Sequence, residues 1–342
     1  MGDNSKYFAF GAAILGVMAA ATLLAFAEDR NAGWELRPSL SLDQVHLVIH
    51  RSNGFSNWTN SRDVPLDRFR GFSLSMLATG GPAKFEYVAD AGRLICEGRF
   101  LMGTGSGTYT FAPDPAFSSA LQQMGYHAPD DEQLFSMLMM DIHREFAREI
   151  RDAGLRASIN DLLQLRMHGI NLDYIREARQ AGYPNFTAED YIQLRIHGVE
   201  TALLRDLKAG GYDLRAEDIV QLRIHGVDSA YIRDLRSYGL KPEASDLTQM
   251  RMHGVTPEYL KGLKDAGYEN LRADEVNQLR MHGVETSFVK DARRWGYNFT
   301  PEELTQLRMR GVDGAYLKRL QDAGMRNLNA EQIAKLRMHG VD

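Results

Sequence analysis

Six histidines, His168, His197, His225, His253, His282 and His339, recur at one position of a repeated phrase, and Arg310 takes the place of a seventh. A row of imidazoles raises metal binding first. Spacing argues against it: stacked helices stand about 8–10 Å apart, too far for successive rings to share an ion at about 2.0–2.1 Å. Arg310 also replaces a cation but not a ligand. The row is expected to be structural, a set of helix-end cations that meet orphan carbonyls and the negative end of the helix dipole. A second row, Arg166, Arg195, Arg223, Arg251, Arg280, Arg308 and Arg337, lies two residues earlier. Exposed together, these arginines form a candidate row for binding an anionic partner. Pairing with acidic first turns such as Glu217-Asp218 and Glu302-Glu303 is their competing role.

Other chemistry is sparse. His46 and His50 stand four apart on a strand and share its face, with no third ligand suggested, and are read as surface residues. The glycine-rich run from Gly103 to Gly107 has the composition of a phosphate loop. The next residues, Thr108 to Phe111, alternate like a strand and do not open a helix, so the run is read as a β-turn. HExxH, G-x-S-x-G and Walker sequences are missing. The one cysteine, Cys96, can form no internal disulfide and no Cys-rich zinc module. No catalytic residue, cofactor or metal site is expected.

The elements that carry the rows repeat. The phrase Leu-Arg-Met-His-Gly and its variants return every 28 or 29 residues from Leu165 to Val341, a period that marks stacked units, none of which buries its apolar side alone. In the unit from Thr256 to Val284, Thr256 is an N-cap and Pro257 the first helical residue. Tyr259, Leu260 and Leu263 share a face, and Gly267 ends the helix in the left-handed region. A second helix starts near Arg272 and carries Val276, Leu279 and Met281. Sister units begin it with capping boxes at Thr300 and Asn329. Each unit is thus a helical hairpin. Because Ile224 points away from Ile219 and Leu222, the second helix is expected to be covered on more than one side as an inner layer. The aromatic or leucine at Tyr174, Leu203, Tyr231, Tyr259, Phe288 and Tyr316 is read as core of an outer layer. Residues 143–342 make seven such repeats, and 114–142 form a degenerate hairpin that caps them, with Met140-Asp141 where the others have His-Gly.

Before the array, residues 34–113 alternate with period two at Val45–His50, Lys84–Val88, Leu94–Phe100 and Thr108–Phe111. This predicts a small antiparallel β domain of four or five strands, with a short helix within Leu66–Leu77. The fold class is α+β, multidomain: a small β domain followed by an all-α solenoid. Residues 1–30 differ again. Tyr7 to Ala27 is uncharged and long enough, at about 1.5 Å per residue, to cross a hydrocarbon core of about 30 Å. Ala25-Phe26-Ala27 is also a signal-peptidase site. The segment is read as a single-pass anchor or a cleaved signal peptide, and either places the body outside the cytoplasm.

The chain has 342 residues and a net charge of -5. From His143 onward basic and acidic residues balance at thirty each, which excludes the basic surface that nucleic acid requires.

The stretches GVTPEYLKGLKDAGY, LRMHGV and CEGRFLMGTGSGTYTFAPDPAF resemble the β-module and hairpin repeats attached to the exported side of bacterial membrane sensors, including zinc-metalloprotease receptors of the BlaR/MecR antirepressor type. The resemblance covers nearly everything after residue 43 and excludes the protease domain, whose HExxH is missing. It implies a sensing or scaffolding module and carries over no site residue. The function expected from all of this is a non-enzymatic exported scaffold that binds a protein or envelope polymer through the solenoid surface. A regulatory ectodomain partner of a membrane sensor is the alternative.

Overall fold

The computed structural model describes residues 32–52 and 57–340, so the apolar segment 7–27 lies outside the described residues. No helix among the described residues is long and apolar enough to cross a membrane. The chain divides after Pro113 into two compact units.

The first unit is an antiparallel sheet of seven strands, two or three more than expected. They are β1 (Ala32–Pro38), β2 (Gln44–Ser52), β3 (Asn57–Pro65), β4 (Phe69–Arg70), β5 (Gly81–Ala89), β6 (Gly92–Leu101) and β7 (Thr104–Pro113), in the order β3-β2-β1-β7-β6-β5-β4. The two edge strands, β3 and β4, are consecutive in the chain and joined only by a 3-10 turn at Leu66–Arg68. Three residues span about 10 Å, so the sheet must curl until its edges approach, as a partly closed barrel. Its interior is aromatic: Trp34 meets Phe85 edge-on at 4.8 Å between ring centroids, with Phe100 beside them. The predicted helix within Leu66–Leu77 is instead this turn, β4 and a short helix α1 (Leu74–Thr79).

The glycine-rich run is not one turn. Only Met102 and Gly103 turn, both with positive φ. Gly105 and Gly107 lie inside β7. Gly107 pairs with Gly98 of β6, and a Cβ on either would overlap the other strand's backbone, while one on Gly105 would enter the Phe100 ring. These glycines are there for close approach of backbone and ring. His46 and His50 do share the outer face: the His46 ring nitrogen meets Asp63 at 2.9 Å, and His50 lies over Gly33.

The second unit contains sixteen helices among the described residues, α2 (Pro115–Gln123) to α17 (Ala330–Met338), paired as eight hairpins. The first helices are α2, α4 (Arg144–Asp152), α6 (Leu172–Gln180), α8 (Thr201–Ala209), α10 (Ser229–Ser237), α12 (Pro257–Asp265), α14 (Thr286–Arg294) and α16 (Gly314–Asp322). The second helices are α3 (Asp131–Met139), α5 (Ile159–Met167), α7 (Ala188–Ile196), α9 (Ala216–Ile224), α11 (Ala244–Met252), α13 (Ala273–Met281), α15 (Pro301–Met309) and α17. First helices pack on first helices and second on second, giving two layers, with little direct packing between α4 and α6 or between α9 and α11.

Local chemistry sets these boundaries. Ser158, Thr187, Thr300 and Asn329 accept the N3 amide in capping boxes. Both helices of a repeat end in a Schellman pair. After α5, Gly169 N–H donates to Arg166 C=O and Ile170 N–H to Leu165 C=O, at 3.1 and 2.8 Å. In the degenerate hairpin Asp141 takes the glycine's place at φ 52°.

Candidate binding face of the repeat array

One second helix shows how the site is built. In α9, Ala216, Ile219, Val220 and Leu222 are buried. Arg223 follows Ile219 by four residues and therefore lies one turn along the same packing face. Ile224 follows buried Val220 by four and exposed Gln221 by three, at the rim of that face. The helix is not covered all round: Ile224 is 52% exposed.

The same phase turns the arginine row toward the hairpin seams, and at least five of its members bond across to the preceding hairpin. Arg223, Arg251, Arg280 and Arg308 each donate Nε–H to the carbonyl of the glycine that ends the preceding second helix (Gly198, Gly226, Gly254 and Gly283), at 3.0–3.2 Å. Arg166 does the same to Met140 at 3.1 Å. Each guanidinium also lies over the aromatic residue of its own first helix where there is one. Arg195 stacks over Tyr174, Arg251 over Tyr231, Arg280 over Tyr259 and Arg337 over Tyr316, at 4.8–5.0 Å to the ring centroid. In the α8–α9 hairpin Leu203 replaces the ring. The row is half-buried throughout, and this placement accounts for it without a partner.

The aromatic stripe is core. Tyr174, Tyr231, Tyr259, Phe288 and Tyr316 are buried. Tyr174 and Tyr259 donate their hydroxyls to the carbonyls of Val199 and Val284, both at 2.8 Å. Burial raises the Tyr259 phenol above its ordinary range and outweighs the Arg280 cation, which pulls the other way. The hydroxyl thus stays a donor. The arginine bonds thus fasten a hairpin to its predecessor, and the tyrosine bonds tie a first helix to the end of its own second helix.

His168, His197, His225, His253, His282, Arg310 and His339 are the C-cap residues of the second helices, and the carbonyls of Gly198, Gly226, Gly254 and Gly283 just beyond accept from the arginine of the following hairpin. One histidine is fixed: His253 Nδ1 meets Asn277 Oδ1 at 2.8 Å, and Asn277 Nδ2 donates to Gln249 Oε1 at 3.3 Å. Asn277 is nearly buried, where the sister helices have residues such as Val220 or Ile192. Among the described residues no three His, Cys, Asp or Glu side chains converge as a metal site would need.

The residue between arginine and histidine is the one that sequence reasoning missed. Met167, Ile196, Ile224, Met252, Met281, Met309 and Met338 are large, apolar and exposed in all seven repeats, from 45% at Met281 to 66% at Met309. Scattered exposed apolar residues need no explanation, but a contiguous set marks an interaction surface. All seven hold one equivalent position on the second helices, and at the last step neighbouring rungs touch: Arg310 Nη1 lies 2.8 Å from Met338 Sδ. A turn before this position on the same face stand Gln164, Gln193, Gln221, Gln249, Gln278 and Gln306, then Lys335. A further turn back are acidic residues such as Glu189, Glu217, Asp274 and Glu302. The face therefore presents parallel apolar, amide and acidic rows.

Two grooves of about 320 and 620 Å³ open beside Tyr238, Leu240, Asn270 and Leu271. They lie at the loops joining first to second helices, the far end of the hairpin from the apolar row.

No protein-family model matches the chain, and no curated protein matches it significantly.

Proposed function

We propose that the chain is a non-enzymatic binding scaffold whose hairpin array holds a partner on the exposed face of its second helices. The observation that carries this reading is the row from Met167 to Met338, apolar and exposed in every repeat. Holding seven such side chains in water serves no packing purpose, since each helix already has its own buried face. The reading includes export, which rests on the uncharged run Tyr7–Ala27 and on the chain's resemblance to modules on the outer side of bacterial sensors.

The test is a triple variant, Met252→Ser, Met281→Ser and Met309→Ser, compared with the unaltered chain in affinity capture from envelope extract. Loss of a specific captured component, with the melting temperature unchanged, is expected. Capture that survives the triple change overturns the reading.

A further inference from the structure

We propose that the cleft between the α10–α11 and α12–α13 hairpins is a binding site for a 4-hydroxyphenyl group, the side chain of a tyrosine presented by another polypeptide. The cleft lies at the far end of the hairpins from the exposed apolar row, so it goes beyond the reading of that row and does not rest on it.

The sister seams supply the template. The residue after the glycine that ends a first helix is Tyr183, Tyr212, Tyr268 or Tyr297 in four hairpins. Three of these tyrosines meet the eighth residue of the next first helix. Lys208 lies over the Tyr183 ring at 4.4 Å and Arg293 over the Tyr268 ring at 4.6 Å, while Gln321 donates to the Tyr297 hydroxyl at 3.1 Å. Two hydroxyls also reach the loop of the next hairpin: Tyr212 donates to the Pro242 carbonyl at 2.7 Å and Tyr268 to that of Phe299. A ring, a polar side chain against it and a carbonyl acceptor close a seam of this kind.

After α10 the ring is missing. Leu240 follows Gly239 where the sisters have tyrosine, yet Lys264 holds the eighth position of α12 and Leu271 the loop position of Pro242 and Phe299. The partners of the ring are present without it. Leu240, Lys264 and Leu271 line the inner groove of about 320 Å³, together with Leu260, Leu263 and Val276. Leu271 is half-exposed, whereas Pro242 and Phe299 are buried, and among the described residues no hydrogen bond reaches the Leu271 carbonyl. The loop before α13 is one residue longer than those before α11 and α15, with Asn270 at φ 58°. Two other hairpins lack the tyrosine, and they differ. Beside Leu155 the eighth residue, Arg179, is already engaged with the Ala153 carbonyl, and Met325 belongs to the last described hairpin.

Apolar walls with a few placed polar groups are what a small binding site needs. In the cleft the phenol hydroxyl donates to the Leu271 carbonyl, as Tyr212 does to Pro242, and the Lys264 ammonium covers the ring face. Leu260, Leu263 and Val276 take the ring's apolar surface. The inner groove is continuous with the outer one of about 620 Å³, since Tyr238, Gly239, Leu240, Asn270 and Leu271 line both. A ring in the inner groove leaves the chain that carries it in the outer one, which a free phenol would not fill.

The probes are acetyl-Gly-Tyr-Gly-amide, the same peptide with phenylalanine in place of tyrosine, and 4-methylphenol, each titrated against the full chain by ligand-observed NMR. The tyrosine peptide is expected to bind about fivefold more tightly than the phenylalanine peptide, and more tightly than 4-methylphenol. Leu240→Tyr gives the seam its sister residue. It should weaken binding of the tyrosine peptide at least tenfold and raise the melting temperature of the array. Lys264→Met, a change at an exposed position, should weaken binding several-fold while the chain melts as the parent does, so it reads the site even where Leu240→Tyr disturbs the fold. Equal binding of the two peptides, tighter binding of 4-methylphenol, or full binding in either variant overturns the proposal. Capture by the apolar row is judged by its own methionine variant, which leaves this cleft unaltered.

Discussion

The two units solve the same burial problem in opposite ways. In the β domain each contact is made once and joins distant parts of the chain, as where Trp34 donates its indole N–H to the Glu97 carbonyl at 3.2 Å. In the array one small set of contacts, a ring, an arginine and a glycine carbonyl, recurs from hairpin to hairpin, with Leu203 in place of the ring at α8 and Met140 in place of the glycine before α5. Failure in the first should be global to its unit, and failure in the second confined to a rung and its neighbours. The repetition also leaves a regular outer face, which an irregular sheet does not provide.

The largest expected effect is in the sheet. Gly107→Val puts a branched side chain into the backbone of β6, which should cost about 3 kcal/mol or more and open the whole β domain. Cys96 reports it: burial raises its thiol well above the ordinary range and leaves it fully covered, so iodoacetamide should label Cys96 readily in the variant and barely in the parent. Far-ultraviolet circular dichroism should keep the helical melting transition of the array. Loss of both together would break the contrast.

Next comes Arg280→Ala, which removes the stack on Tyr259 and leaves the Gly254 carbonyl without its donor. A cost of about 2 kcal/mol is expected. Hydrogen exchange should rise in α11 to α13 and stay at parental rates in α5 and α17. Tyr259→Phe, which deletes only the hydroxyl bond to Val284, should cost about 1 kcal/mol, read as a smaller change confined to the same hairpin. Smallest for stability is Met281→Ser, one residue beyond Arg280. It should lie within about 0.5 kcal/mol of the parent, since this side chain packs little.

How much of this was legible beforehand depended on the range of the interaction concerned. Hairpins were readable because caps are local: Thr256 with Pro257, Thr300 with Glu303, and Gly267 each declare a helix end within four residues. Strands β2, β5, β6 and β7 declared themselves by alternation. Strand β3 did not, because Asn57–Pro65 is a polar edge strand defined by its pairing with β2, and β4 is two residues recognisable only beside β5. The glycines of β7 were misassigned for the same reason, since their cause is a ring and a backbone contributed by other parts of the chain.

The arginine and methionine rows were misplaced for a different reason. Charge suggested that arginine faces water and apolarity that Met281 and Ile224 are covered. Helical phase, already present in the spacing of Ile219, Arg223 and Ile224, reverses both. Spacing could not supply the acceptor of each arginine, a carbonyl 25 or 26 residues earlier.

Methionine oxidation tests the inverted placement most directly, because buried Met250 and exposed Met252 sit in one helix two residues apart. Under dilute hydrogen peroxide, mass spectrometry should show Met252, Met281 and Met309 oxidising many times faster than Met250. Equal rates at Met250 and Met252 would contradict the exposed row.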